Sequence, residues 1–257
     1  MALRVAQVPY LHYEPFYFDM ERRGIELVEL VPSAIAAAAE HGDIDAAPFP
    51  LADSFRLANR FEPLAGFGVA CLRTSGSLFL FASAPMEELD GARIAITDEA
   101  ATAEKLLRIL LQLKCQVQPA AYVTLQEPHD AFLLIGNKAL RQRGGSRDFP
   151  HRYDLGAVWH AWTGLPCVLS RWMVRREVPP QDKALVEDTL YVGLEDGVNV
   201  LYQVAEPRDY ILMRPRDIAR YIQGFRYYFG LSEQQAIERF RHDLKQVDPH
   251  FRTLPSG

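Results

Sequence analysis

Residues Asp130–Trp172 read DAFLLIGNKALRQRGGSRDFPHRYDLGAVWHAWTGLPCVLSRW. Five apolar residues, Ala131–Ile135, follow the opening acid and stop at Gly136-Asn137. A run that short, closed by a breaker, predicts a buried strand. A helical stub and a basic, glycine-containing loop (Arg141–Arg152) come next, then Tyr153-Asp154-Leu155-Gly156. Trp159 and Trp162 stand three apart, which puts them on one helical face. Core packing is the first reading of the pair; the second is that one of them, Trp162, walls a ligand site. Gly156, Gly164 and Pro166 mark tight backbone geometry. Cys167–Val174 is predicted as a strand that leaves this region.

Upstream, the same alternation continues. Leu3–Val8 is a short apolar strand ended by Pro9. A helix is expected over Glu14–Arg23 with Gly24 as its C-terminal stop. Ile25–Val31 is a second strand. Pro32-Ser33 opens an alanine-rich helix with Ser33 as its cap. Gly42-Asp43 ends it, and Ile44–Ala47 is a third strand broken by Pro48-Phe49-Pro50. Leu64–Ala82 is β-like with breaks at Gly66, Gly68 and Gly76, and its apolar end, Leu78–Ala82, is a central strand. Ala92–Ile96 and Pro119–Leu125 are strands about an amphipathic helix, Ala103–Lys114. Helices are expected over Gln181–Asn199, Asp217–Phe229 and Glu233–Val247, with Tyr221, Phe225, Tyr228 and Phe229 forming an aromatic core face. Strand–helix alternation is the pattern of an α/β protein with parallel pairing.

Composition bounds the function. The 257 residues are about half apolar and a quarter charged, with a net charge of −5. There is no basic footprint for nucleic acid. The three cysteines, Cys71, Cys115 and Cys167, form no CxxC pair. Such a set suits a reducing cytosol and argues against a disulfide framework or metal site. No apolar run reaches membrane-spanning length, and the first residues lack the layout of a secretory signal. A cytoplasmic protein without metal or membrane contact is expected. No feature of the sequence sets the oligomeric state.

Chemistry-bearing residues fall where strands end. Tyr10 and His12 follow the first strand, at the place where open α/β sheets hold ligands. His12 reads equally as a structural histidine or as an acid, base or hydrogen-bond donor. Thr74, Ser75 and Ser77 precede Leu78–Ala82, and could serve turn backbone or bind a carboxylate. Thr97–Thr102 joins a strand to a helix N-terminus, which favours anions. One of Thr97, Asp98 and Thr102 is expected to cap that helix, while Asp98 and Glu99 oppose an anion there. Gly136-Asn137 ends the central strand of the opening stretch.

These segments carry a resemblance. Pro9-Tyr10-Leu11 with Glu14-Pro15-Phe16-Tyr17, Gly42–Pro48, Leu78–Phe81 with Pro85–Gly91, Ile96-Thr97 with Ala101-Thr102, Leu133–Gly136, and Tyr153–Gly156 with Trp159, Trp162 and Thr163-Gly164-Leu165-Pro166 resemble the MqnA/MqnD family in order and spacing. Its lyases act in the futalosine route to menaquinone. The likeness runs from about residue 4 to about residue 245. It implies the two-lobed type II periplasmic-binding-protein fold, each lobe a mixed sheet flanked by helices, with a central cleft. The implied lobes are residues 1–86 with 175–257, and 87–174. Strands near Leu78–Ala84 and Val168–Val174 would cross between them as hinges. The tips Tyr10–Tyr13, Thr74–Ser77, Thr97–Thr102 and Gly136–Asn137 would share one cavity.

Gly136-Asn137, where the MqnD branch carries His and Glu, and the TGLP segment make the chain more similar to the MqnA branch, chorismate dehydratase. That resemblance implies a hydro-lyase converting chorismate to 3-enolpyruvylbenzoate without a cofactor. The small-molecule ligand would be a carboxylate. His12 and Ser77 would be the catalytic residues. Tyr10, Ser75, Thr97, Thr102, Asn137 and Trp162 would bind substrate. Departures from the branch are His12 for Asn, Pro50-Leu51 for a Ser pair, Gly76 for Arg and Asn137 for Asp. Fewer donors would face a dianion. The alternative is a divergent paralogue that acts on, or only binds, a different small ligand.

Overall fold

The computed structural model describes residues 2–197 and 211–252. In chain order the strands are β1 (Arg4–Gln7), β2 (Glu26–Glu29), β3 (Ala46–Pro50), β4 (Phe61–Cys71), β5 (Leu78–Ala82), β6 (Arg93–Ile96), β7 (Ala121–Val123), β8 (Ala131–Ile135), β9 (His151–Asp154), β10 (Cys167–Arg175) and β11 (Phe225–Tyr228). The α-helices are α1 (Pro32–His41), α2 (Leu51–Arg56), α3 (Thr102–Ile109), α4 (Gly136–Gln142), α5 (Leu155–Thr163), α6 (Pro180–Val192), α7 (Pro215–Gln223) and α8 (Leu231–Val247). No helix among the described residues is long and apolar enough to cross a membrane.

Contacts divide the chain into two units, Met1–Ala70 with Val168–Gly230, and Cys71–Cys167 with Leu231–Gly257. The chain therefore passes from one to the other at the end of β4, at the start of β10 and before α8. This differs from the boundaries expected at 86 and 175. β5 lies inside the second sheet, paired on one side with β8 and on the other with β9, so it is no crossing strand. α8 joins the second unit because it packs there: Phe240 meets Trp159 of α5 at 6.1 Å, and Lys105 of α3 pairs with Asp248 just beyond α8 at 3.1 Å.

The first unit's sheet has the order β11-β4-β10-β3-β1-β2. β1 runs parallel to β2 and β3, and β10 runs antiparallel to β3. The prolines expected to break β3 lie within it. Asp45 O accepts from Arg175 N, so the odd-numbered residues bond to β10 while Pro48 and Pro50 turn their missing N–H away from it. The aromatic run expected at the end of a helix is strand instead. α7 stops before Gly224, and Phe225–Tyr228 pairs beside β4, with Phe229 N donating to Gly66 O at 2.7 Å. Gly66 and Gly68 consequently sit inside β4 without ending it. Helix Glu14–Arg23 is replaced by two 3₁₀ segments, Leu11–Tyr17 and Glu21–Arg23; Pro15, with no N–H to donate, lies inside the first. Ser33 does not cap α1, whose cap position is Val31 with Pro32 following. α6 gives way at Gly193 to a π-helical stretch ending at Gly197; Val198 and Asn199, the last residues expected in that helix, lie outside the described residues.

The second unit's sheet has the order β7-β6-β8-β5-β9. β6 is parallel to β7 and β8, while β5 is antiparallel to β8 and β9. This arrangement brings the ends of β6, β8 and β9 and the start of β5 to one edge. α3, α4 and α5 all begin there, each following a strand end after a short turn or none. α5 approaches the end of β4 closely: a Cβ on Gly156 would lie 2.6 Å from Cys71 Sγ and 3.1 Å from Ser75 N. Overpacking at such a contact costs about 1–3 kcal/mol. Gly156→Ala is expected to lower the urea-unfolding free energy by that amount, whereas Gly144→Ala, with open space at its Cβ position, leaves it within about 0.5 kcal/mol.

Candidate functional site

At the shared edge of the second unit, hydrogen bonds tie the strand ends together. Gly136 N donates to Ser77 O at 2.9 Å and Thr97 N to Leu133 O at 3.2 Å. Ser77, Thr97, Thr102 and Asn137 thus occupy neighbouring strand ends and the first turns of α3 and α4. Ser77, Thr97 and Thr102 are buried; Asn137 is half-buried.

One carboxylate organises this edge. Asp154 caps α5 by accepting from Ala157 N at 3.0 Å. It also accepts from Ser75 N and Ser75 Oγ at 3.0 Å each, and from Gly76 N at 2.7 Å. Gly76 adopts φ 66°, a left-handed conformation that a β-carbon disfavours, so an arginine there would be strained. Ser75, expected to bind substrate, directs its hydroxyl proton at Asp154 and so serves the turn. Ser77 lies two residues on, its N 3.4 Å from Ser75 Oγ.

The electrostatics of the α3 end differ from expectation. The cap position of α3 is Ala101, which has no side-chain oxygen, and no side-chain cap bond forms from it. Thr97 Oγ1 instead donates to Asp98 Oδ1 at 3.3 Å, and Thr102 is the first residue of the helix. One lysine serves both acids: Lys138 of α4 lies 3.3 Å from Asp98 Oδ1 and 2.8 Å from Glu99 Oε1. That ammonium holds the Asp98 carboxyl below its usual range. Half of the negative charge that would oppose an anion is therefore offset.

Trp162 is not at this edge. It lies two turns into α5, 6.0 Å from Trp159 in a T-shaped contact, with the Arg239 guanidinium of α8 4.7 Å from its ring centre. Trp159 is core, its Nε1 donating to Pro166 O at 3.0 Å.

In the first unit, Tyr10 and His12 follow β1. His12 is 3 % exposed and sits in the 3₁₀ segment, not in an open loop. Its Nδ1 is 2.7 Å from Tyr221 Oη. Phe225 stacks on the imidazole at 4.7 Å with 9° between planes, and Tyr13 lies at 4.6 Å. Tyr13 Oη donates to Ser170 Oγ at 2.8 Å, and Tyr17 Oη accepts from Val8 N at 2.9 Å. Burial holds the His12 pKa down at about 3, so the ring is neutral at physiological pH. A neutral imidazole donates or accepts one hydrogen bond per nitrogen and carries no charge for a carboxylate. Pro50 and Leu51 are buried at the end of β3 and the start of α2 and bring no hydroxyl.

Sequence reasoning missed Asp154 and Tyr221. The signal for Asp154 was present, an acid directly before a predicted helix with no hydrophobic role. Tyr221 carried none, because its partner is 209 residues away.

This architecture defines a class. Two mixed sheets flanked by helices make the fold of periplasmic binding proteins, and the solved structures agree. Protein AF1704 from Archaeoglobus fulgidus superposes with a TM-score of 0.69 at 16% identity, covering 95% of this chain and 97% of that one. The alkanesulfonate-binding protein SsuA from Xanthomonas axonopodis pv. citri, bound to MOPS, gives 0.63 at 15% identity, covering 99% and 94%. The family model described as menaquinone biosynthesis matches residues 3–246, and the chain belongs to that family. A chorismate dehydratase of Thermus thermophilus is 26% identical over an alignment of 255 positions that covers 91% of this chain and 92% of the relative.

Two measurements follow from the geometry. Asp154→Ala removes the acceptor of four hydrogen bonds and is expected to cost about 2–3 kcal/mol in chemical denaturation. For His12 the folded pKa of about 3 lies below the ordinary 6.5, so the unfolded chain binds the extra proton. Stability associated with His12 is then complete above pH 6.5 and is lost by about 1.4 kcal/mol per pH unit as pH falls toward 3. Comparing unfolding free energies of wild type and His12→Asn at pH 7, 5.5 and 4.5 should show a difference between the two that shrinks with that slope as pH falls.

Proposed function

We propose that this protein is a hydro-lyase of menaquinone biosynthesis that dehydrates chorismate to 3-enolpyruvylbenzoate. The observation that carries the reading is the end-to-end likeness to a chorismate dehydratase within the matched family. In the reaction the ring C–O bond to the hydroxyl breaks, the neighbouring ring carbon gives up its proton, the electron pair of that C–H bond completes an aromatic ring, and the proton and hydroxide leave as one water. Aromatisation supplies the driving force, so the protein has to orient the substrate and ease the departure of hydroxide.

The chain's own groups suit those tasks. Ser77, Thr102 and the amides at the start of α3 hold a carboxylate; helix N-termini favour anions, and Lys138 offsets one of the two charges of Asp98 and Glu99. Thr97 and Asn137 support that contact, and Tyr10 packs beside the substrate. His12, neutral and held by Tyr221, donates a hydrogen bond to the departing oxygen. Its neutrality fits it to an uncharged hydroxyl.

A binding role without turnover is the second reading. It is favoured by His12, Pro50, Leu51 and Gly76 at polar positions of the chorismate dehydratase pattern and by the binding-protein neighbours. Incubating the purified protein with chorismate separates the two. Loss of the chorismate ultraviolet band, with a product lighter by one water, is expected, and His12→Asn should lower kcat by about tenfold or more. A band that persists, together with thermal stabilisation by aromatic acids or sulfonates, would favour the binding role.

A further inference from the structure

We propose that Tyr221 is a positioning residue that locks the imidazole of His12 in a single tautomer, with Nε2–H presented as the hydrogen-bond donor. The inference rests on the role given to His12 above and names how that role is maintained. The phenol oxygen lies 2.7 Å from Nδ1. Phenol is the better donor of the two groups and neutral imidazole nitrogen the better acceptor, so the tyrosine proton points at Nδ1 and the ring proton resides on Nε2. The ring plane is fixed separately. Phe225 lies parallel to it at 4.7 Å, and Tyr13 closes in at 4.6 Å with a 43° tilt. Stacking sets the plane, and the tyrosine bond sets rotation within it. Tyr221 comes from α7 and Phe225 from β11, directly after that helix, so one turn at Gly224 delivers both restraints. Tyr13 is itself restrained by Ser170 at 2.8 Å. In the opposite tautomer Nε2 would be an acceptor and would repel the lone pairs of a departing oxygen.

Long-range proton–nitrogen NMR on protein labelled at histidine nitrogen tests this without substrate, with His12 identified by its absence in His12→Asn. Wild type should show unprotonated Nδ1 and protonated Nε2 at His12, and Tyr221→Phe, which keeps the ring contacts, should show both nitrogens averaged. In the chorismate assay the same variant should lose kcat by about tenfold with KM unchanged, the effect of one hydrogen bond. A protonated Nδ1 in wild type, or a Tyr221→Phe spectrum identical to wild type, overturns the proposal whether or not chorismate is consumed. Should Tyr221→Phe not fold, the wild-type tautomer decides alone. Absence of turnover in wild type with the expected spectrum would overturn the dehydratase reading and leave the tautomer assignment standing.

Discussion

The second unit depends on the carboxylate of Asp154. It gathers the Ser75-Gly76 turn, the end of β9 and the first turn of α5 onto one side chain. Helix starts and tight turns leave N–H groups that their own segments cannot satisfy. Here two such segments, about 80 residues apart, are satisfied by one acceptor. Ser77 and the start of β5 are held next to the strand ends by that arrangement. Gly76 and Gly156 follow from it, one through a left-handed backbone and the other through the close passage of Cys71.

The first unit uses a different device. His12 is enclosed by aromatic rings and given one polar partner, which keeps it uncharged and fixed. Burying an unpaired imidazolium would be costly, and a neutral ring with one hydrogen bond is not. The two units therefore differ in chemistry: one gathers helix starts and hydroxyls at a sheet edge, and the other encloses a neutral imidazole. The chain belongs to the menaquinone-biosynthesis family, in which its Thermus relative is a chorismate dehydratase.

Local signals in the sequence were reliable where one segment settles its own structure. Ala131–Ile135 closed by Gly136 is β8, Gly24 and Gly42 are left-handed helix ends, and Cys167–Val174 is most of β10. They failed where a neighbour decides. Pro48 and Pro50 stay in β3 because β10 asks nothing of their nitrogens. Phe225–Tyr228 is strand because β4 has a free edge to pair with, although its aromatic spacing also fits a helix. Thr97 donates to Asp98 and leaves the start of α3 without a side-chain cap from Ala101.

By itself the sequence determined the α/β alternation, the family pattern and the positions of the polar residues at strand ends, since periodicity, glycine and proline act within a few residues. Tertiary structure alone decided which partners those residues take. Ser75 is spent on Asp154, Trp162 lies against Arg239, and His12 is neutral beside Tyr221. Hydrogen bonding, ring stacking and desolvation between distant segments set those outcomes, and each depends on distances in space that spacing along the chain does not encode.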